Sequence, residues 1–119
     1  MKEKKSSETV APPAAVTVFE GFIDLLSALT FYRVATPQTP VIVLNGVSLK
    51  QKAVSVINQM SAGKVYLYLD RDDAGQRLGQ YFQKHLPSQT SLVDKSGLYQ
   101  DYKDFNQFLV ASLPANLSR

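Results

Sequence analysis

Asp70 and Asp72 stand two residues apart, directly after the run Val65-Tyr66-Leu67-Tyr68-Leu69, with Gly75 just beyond them. The run is nearly continuous in Val, Tyr and Leu and does not alternate, the pattern of a strand buried on both faces. Residues i and i+2 of a strand point the same way. The two carboxylates would therefore leave the sheet together if the extended conformation persists. Like charges so close repel unless a cation lies between them, and oxygen ligands in that arrangement suit a hard ion such as Mg²⁺. Glu20 ends a second short run, Val16-Thr17-Val18-Phe19, and Asp24 lies about one turn into the helical pattern that follows. Asp104, preceded by Lys103, stands before the last helical pattern.

Other readings of the Asp-x-Asp spacing exist. An EF-hand loop starting at Asp70 would need an oxygen ligand at its fifth position and Glu at its twelfth, where Ala74 and Tyr81 stand, so it fails. A phosphatase of the haloacid type wants a Thr where Ala74 stands. A plain strand-to-helix turn, capped by Asp72 or Asp73, remains open.

The elements that must position these residues alternate. Strands are expected at Val16–Glu20, Val41–Leu44, Lys64–Leu69 and Thr90–Val93, from their β-branched and aromatic content. Helices follow each. The first has a wide apolar face of Phe22, Ile23, Leu25, Leu26 and Leu29. The second starts after Asn45-Gly46 with Ser48 as its cap and turns Leu49, Ala53, Val56, Ile57 and Met60 inward, with Gly63 in the left-handed position past its end. The third runs Gln76–Leu86, with Leu78, Tyr81 and Phe82 inward and Pro87 as its stop. The last presents Phe105, Phe108, Leu109 and Leu113. His85 is expected at the surface in the third helix's last turn. Parallel strands need such crossovers, so the fold class is α/β with three layers.

Length and composition fit one ordinary globular domain: 119 residues, 45% hydrophobic and 19% charged. No apolar run approaches a membrane span, and no secretory pattern opens the chain, which makes the cytoplasm the expected location. The absence of cysteine excludes a disulfide framework and a Cys-type zinc site. A net charge of +3 permits nucleic acid as a partner. Residues 1–15, lysine-bearing and then Pro-rich, are expected to be a disordered or extended leader or linker, residues 16–113 the domain, and 114–119 a tail. Beyond the leader, the acids Glu20, Asp24, Asp70, Asp72, Asp73, Asp94, Asp101 and Asp104 are all expected at, or just after, carboxyl ends of strands. Ligands of open α/β sheets bind at that end.

Asp70-Arg71-Asp72-Asp73-Ala74-Gly75 resembles the Asp-x-Asp-x-x-Gly signature of toprim domains, the module shared by DnaG-type primases, topoisomerases and related nucleases. Phe19-Glu20-Gly21-Phe22-Ile23-Asp24 is similar to the glutamate motif of the primase branch, and Lys103-Asp104 to the Lys-Asp pair after its fourth strand. The likeness covers roughly Val16 to Leu113, with the motifs in order. It implies a four-stranded, mostly parallel sheet of order 2-1-3-4. It also implies Mg²⁺ or Mn²⁺ held by Asp70 and Asp72, Glu20 as general acid/base or ligand, and Asp104 and Asp24 as further contributors. Asn45, Gly46, Arg71, Arg77 and Lys103 would be candidates to touch phosphate. The function implied is nucleotidyl or phosphoryl transfer on DNA or RNA with nucleoside triphosphates, within a primase-like protein of a plasmid or mobile element. Further domains or a replicative helicase would be partners. A nuclease, a topoisomerase-related module, and a metal-dependent nucleic-acid-binding domain without turnover are the alternatives. The zinc module usual in DnaG-type primases has no counterpart in a chain without cysteine.

Overall fold

The computed structural model describes residues 15–114. All but one residue of each expected terminal segment, 1–15 and 114–119, lies outside them, as does the side chain of Val47. The elements are β1 (Ala15–Phe19), α1 (Phe22–Tyr32), β2 (Val41–Val43), a 3₁₀ turn (Val47–Leu49), α2 (Lys50–Met60), β3 (Lys64–Tyr68), α3 (Asp73–His85), β4 (Ser91–Asp94), a second 3₁₀ turn (Ser96–Tyr99) and α4 (Phe105–Ser112). The four strands form one sheet in the order β2-β1-β3-β4, with every pair parallel. The expected order and the pairing of the first strand with the third are both borne out.

Strand parity divides the core. In β3, Val65 and Leu67, continued by Leu69, face α2 and α3, where they pack with Ala53, Ile57, Leu78 and Phe82. Tyr66 and Tyr68 face the other way, onto α1 and α4, in a cluster built on Phe19, Tyr99 and Phe105. Phe105 is 0% exposed and stacks on both Tyr68 and Tyr99, with ring centroids 5.5 and 5.4 Å away. Both faces of β3 are thus buried, as a non-alternating apolar run requires.

Several local expectations are corrected. α1 buries Asp24, Ser27 and Ala28, while Phe22, Ile23 and Leu26 are 52%, 55% and 43% exposed. The helix is rolled so that its polar residues meet the N-terminus of α4, where Asp24 and Ser27 bond Asn106. Ser48 lies inside a 3₁₀ turn and Leu49 precedes α2 without a side-chain cap bond. The left-handed residue after α2 is Ser61, φ 55°, where Gly63 was expected. α3 begins at Asp73, three residues earlier than its apolar stripe indicates, because Asp72 caps it. Leu49 is 46% exposed, and Tyr81 stacks on His85, centroids 4.1 Å apart, at the surface.

Candidate metal centre

Asp70 follows β3 on the parity of Tyr66 and Tyr68, the side covered by α1 and α4. Asp24 comes to it from the first turn of α1, and Asp104 from the position just before α4. One carboxylate oxygen of each of these three residues lies within 4.8 Å of the other two. Neighbouring oxygens around a hexacoordinate Mg²⁺ stand about 3 Å apart and opposite ones about 4.2 Å, given ligand distances near 2.1 Å. Three hard oxygens within 4.8 Å of one another lie close to that spacing, so the donor set fits Mg²⁺ or Mn²⁺.

The electrostatics are those of acids crowded together. Burial, then the charges of Glu20, Asp24, Asp104 and Asp72, push the Asp70 carboxyl up to about 7. Asp24 is raised to about 6, by burial first, then by Asp104 and, more weakly, Glu20. The backbone N–H of Asn106, donating to Asp24 Oδ1 at 3.3 Å, opposes that rise. A divalent cation removes such repulsion.

Each remaining predicted residue has a definite place. Glu20 Oε1 accepts the backbone N–H of Asp70 at 2.8 Å, so it borders the cluster and holds its backbone. Asp72 does not join the group of three: the chain bends at Arg71 and Asp72, and Asp72 Oδ1 accepts the N–H of Gly75 at 2.8 Å, capping α3. Its other oxygen is 3.9 Å from Lys103 Nζ, an open contact between partly exposed groups. Asp104 also caps, accepting the N–H of Gln107 at 2.8 Å. Arg71 turns its guanidinium onto the carbonyl and hydroxyl of Ser96, at 3.2 and 3.1 Å. Asn45, φ 50°, accepts the N–H of Phe22 at 3.2 Å and ties the turn after β2 to the start of α1. Gly46 follows with φ 125°, a conformation that suits glycine. Arg77 lies exposed on α3.

Gly75 has a steric reason. A Cβ there would stand 1.9 Å from the carbonyl oxygen of Asp70. Only glycine lets α3 start this close to the strand end that carries the acid. Two supporting residues escaped the sequence reading. Tyr99, 1% exposed, donates its hydroxyl to the carbonyl of Leu69 at 2.8 Å, next to Asp70. Asn106 holds Asp24 through its backbone, and its side-chain oxygen accepts from the Ser27 hydroxyl at 3.1 Å. The one signal for Asn106 is its place in the first turn after the capping Asp104.

The model of the Toprim-like family matches residues 17–109. The primase fragment of the bacteriophage T7 primase-helicase protein is similar at 18% identity and a TM-score of 0.54, over 82% of this chain and 41% of that one. The second similar structure is that of the bacteriophage T7 lagging-strand DNA polymerase interacting with primase domains bound to an RNA/DNA hybrid and dTTP. It matches at 19% identity and a TM-score of 0.53, over 80% of this chain and 53% of that one. At such identities the likeness is one of fold, and this chain spans about two fifths to a half of those chains. A comparison with curated protein sequences finds no match. No described helix is long and apolar enough to cross a membrane.

Proposed function

We propose that this chain, which belongs to the Toprim-like family, is the Mg²⁺- or Mn²⁺-dependent catalytic module of a DNA primase-like protein. Its reaction would be nucleotidyl transfer on nucleic acid. The observation that carries this reading is the meeting of Asp24, Asp70 and Asp104 at the carboxyl end of a parallel sheet, oxygens within 4.8 Å. Those three residues would hold the metal, with Glu20 beside them. The bound cation would neutralise substrate phosphate and the charge that builds up during in-line transfer.

The chain's own residues supply the rest. Tyr99 and Glu20 hold the carbonyl and the N–H of the one peptide group that joins Leu69 to Asp70, by hydrogen bonds of 2.8 Å each. The raised affinity of Asp70 and Asp24 for protons keeps the metal-free centre partly neutral, and metal and proton would compete for it. Glu20, facing the cluster, is the candidate to accept or return the proton of an attacking hydroxyl. Lys103, its side chain 56% exposed, is free to turn to a phosphate; Arg71 would first have to leave Ser96. Nucleoside triphosphates and a DNA or RNA strand are the partners of this reading, with a replicative helicase or further domains beside them in the cytoplasm.

The test is a gel assay on primed and unprimed single strands, with Mg²⁺ or Mn²⁺ and labelled nucleotides. The expected outcome for the purified 119-residue chain is metal-dependent binding that weakens steeply with salt, and no primer synthesis. Holding a template and two nucleotides in register supplies much of the rate, and among the described residues Arg71 is already engaged at Ser96. Primers lost on Asp70→Ala would show the module self-sufficient; metal-dependent cleavage would favour a nuclease. Unchanged binding on Asp70→Asn would overturn the site.

A further inference from the structure

We propose that the groove between α3 and β4 seats the bases of a single strand of nucleic acid whose phosphate stands at the acidic centre. This rests on the nucleic-acid reading above and adds to it a binding surface that the acidic cluster does not include. The groove has a volume of about 1230 Å³ and is continuous with the centre, because Asp70 belongs to the wall of both. That volume exceeds the roughly 300–1,000 Å³ typical of a pocket for one small molecule, and suits a short run of nucleotides better than a single one.

The lining has a consistent chemistry. Its floor is apolar, with Leu67 and Leu92 from the sheet and Leu86 from the end of α3. Gln76, Gln80 and Gln83 stand along its α3 side at i, i+4 and i+7, the spacing of one helix face, and all three are exposed. Gln100 joins them from the loop after β4. Among the described residues, none of these four side-chain amides has a hydrogen-bond partner. An amide offers donors and an acceptor together, the combination that matches base edges.

Charge sets the direction of the strand's polar and apolar parts. The acidic and basic side chains of the lining are three carboxylates, Asp70, Asp94 and Asp101, against Arg71 and Lys103. Both cationic residues leave the chain near the Asp70 end, where the Arg71 backbone N–H bonds the Lys103 carbonyl at 2.6 Å; the guanidinium rests on Ser96 and the Lys103 Nζ lies 3.9 Å from Asp72. One phosphate would stand there with metal and the strand's other phosphates would face solvent along the open side of the groove, while the amide-lined α3 wall would take the uncharged bases.

The experiment measures fluorescence anisotropy of two labelled single strands of equal length in Mn²⁺: one of mixed sequence, the other abasic over its central nucleotides. The proteins are the unmodified chain and a variant carrying Gln76→Ala, Gln80→Ala and Gln83→Ala. Alanine at exposed helix positions keeps the helix, and a melting curve checks that. The unmodified chain should prefer the base-bearing strand. The variant should lose about tenfold on that strand, in line with the worth of one good amide–base contact, and nothing on the abasic one. Both should bind Mn²⁺ alike by electron paramagnetic resonance. Equal binding of the two strands by the unmodified chain, equal loss on both, or no loss would overturn the groove while leaving the metal centre standing. Failure of the unmodified chain to bind Mn²⁺ would instead overturn the reading beneath it.

Discussion

The carboxylate of Glu20 accepts the backbone N–H of Asp70 at 2.8 Å, joining the ends of the two central strands just past their last paired residues, Phe19 and Tyr68. A backbone donor that would otherwise lack an acceptor is thus satisfied by an acid. Glu20→Ala should destabilise the protein by about 1 kcal/mol, the net worth of a hydrogen bond to a part-buried donor. Glu20→Gln keeps an oxygen of the same reach and should cost clearly less. Denaturant unfolding of the two variants decides the matter, and equal losses would show that the bond contributes nothing.

Asp70 makes the metal-free protein sensitive to pH. Its carboxyl holds its proton up to about 7 in the folded chain against an ordinary 3.8, so the folded state binds the proton more tightly than the unfolded one. Stability is then highest where both states are protonated and falls as pH rises from about 4 to about 7. Asp24, raised to about 6, adds to the loss in the lower part of that window. Asp70→Asn should flatten the profile and raise stability at pH 8 by on the order of 1 kcal/mol after solvent screening, or about 4–8 °C in melting temperature. It should change little at pH 4. Saturating Mg²⁺ should raise the melting point of the parent and not of the variant. A parent whose metal-free stability climbs between pH 4 and 7 would contradict the sign.

Gly75→Ala tests the approach of α3 to the strand end. Alanine normally strengthens a helix by about 1 kcal/mol over glycine. Here its Cβ would meet the Asp70 carbonyl at 1.9 Å, and backbone must shift. A net loss of about 2–3 kcal/mol is expected, together with weaker Mn²⁺ binding as Asp70 is displaced. A stabilised variant with unchanged metal affinity would show that the helix start yields freely.

The two capping aspartates should separate by metal. Asn caps as well as Asp, so Asp72→Asn and Asp104→Asn should both keep their helices. Calorimetric titration should find Mn²⁺ affinity reduced about tenfold or more by Asp104→Asn or Asp24→Asn, and far less by Asp72→Asn. The opposite ranking would restore the Asp70 and Asp72 pair that the spacing alone suggested.

The two-sided burial of β3 was readable in the chain, because its apolar run does not alternate; the strand order and the place of Glu20 at the site came with the toprim resemblance. The partners of Asp70 were harder to read. Periodicity placed the apolar side of α1 inward, yet the helix turns Asp24 and Ser27 to α4 and leaves Phe22 and Ile23 exposed. That choice depends on one distant residue, Asn106, which bonds Ser27 from 79 positions away in sequence and Asp24 from 82. The i, i+2 rule placed Asp72 beside Asp70, but it applies only while the strand continues, and the chain bends there to begin α3. Tyr99 looked like one aromatic among many; its hydroxyl bond to Leu69 is a tertiary contact with no local signature.

The centre draws its three oxygens from residues 24, 70 and 104, and the strand that leads to the first of them, β1, lies between β2 and β3. As the chain leaves the ribosome, β1 and α1 emerge first but cannot be enclosed until β3 arrives, about fifty residues later by the register Ala15↔Lys64. The third oxygen comes later still, with the start of α4. The acids of the domain therefore stay apart while most of it is being made, and the three oxygens come together only when nearly all of the domain has emerged.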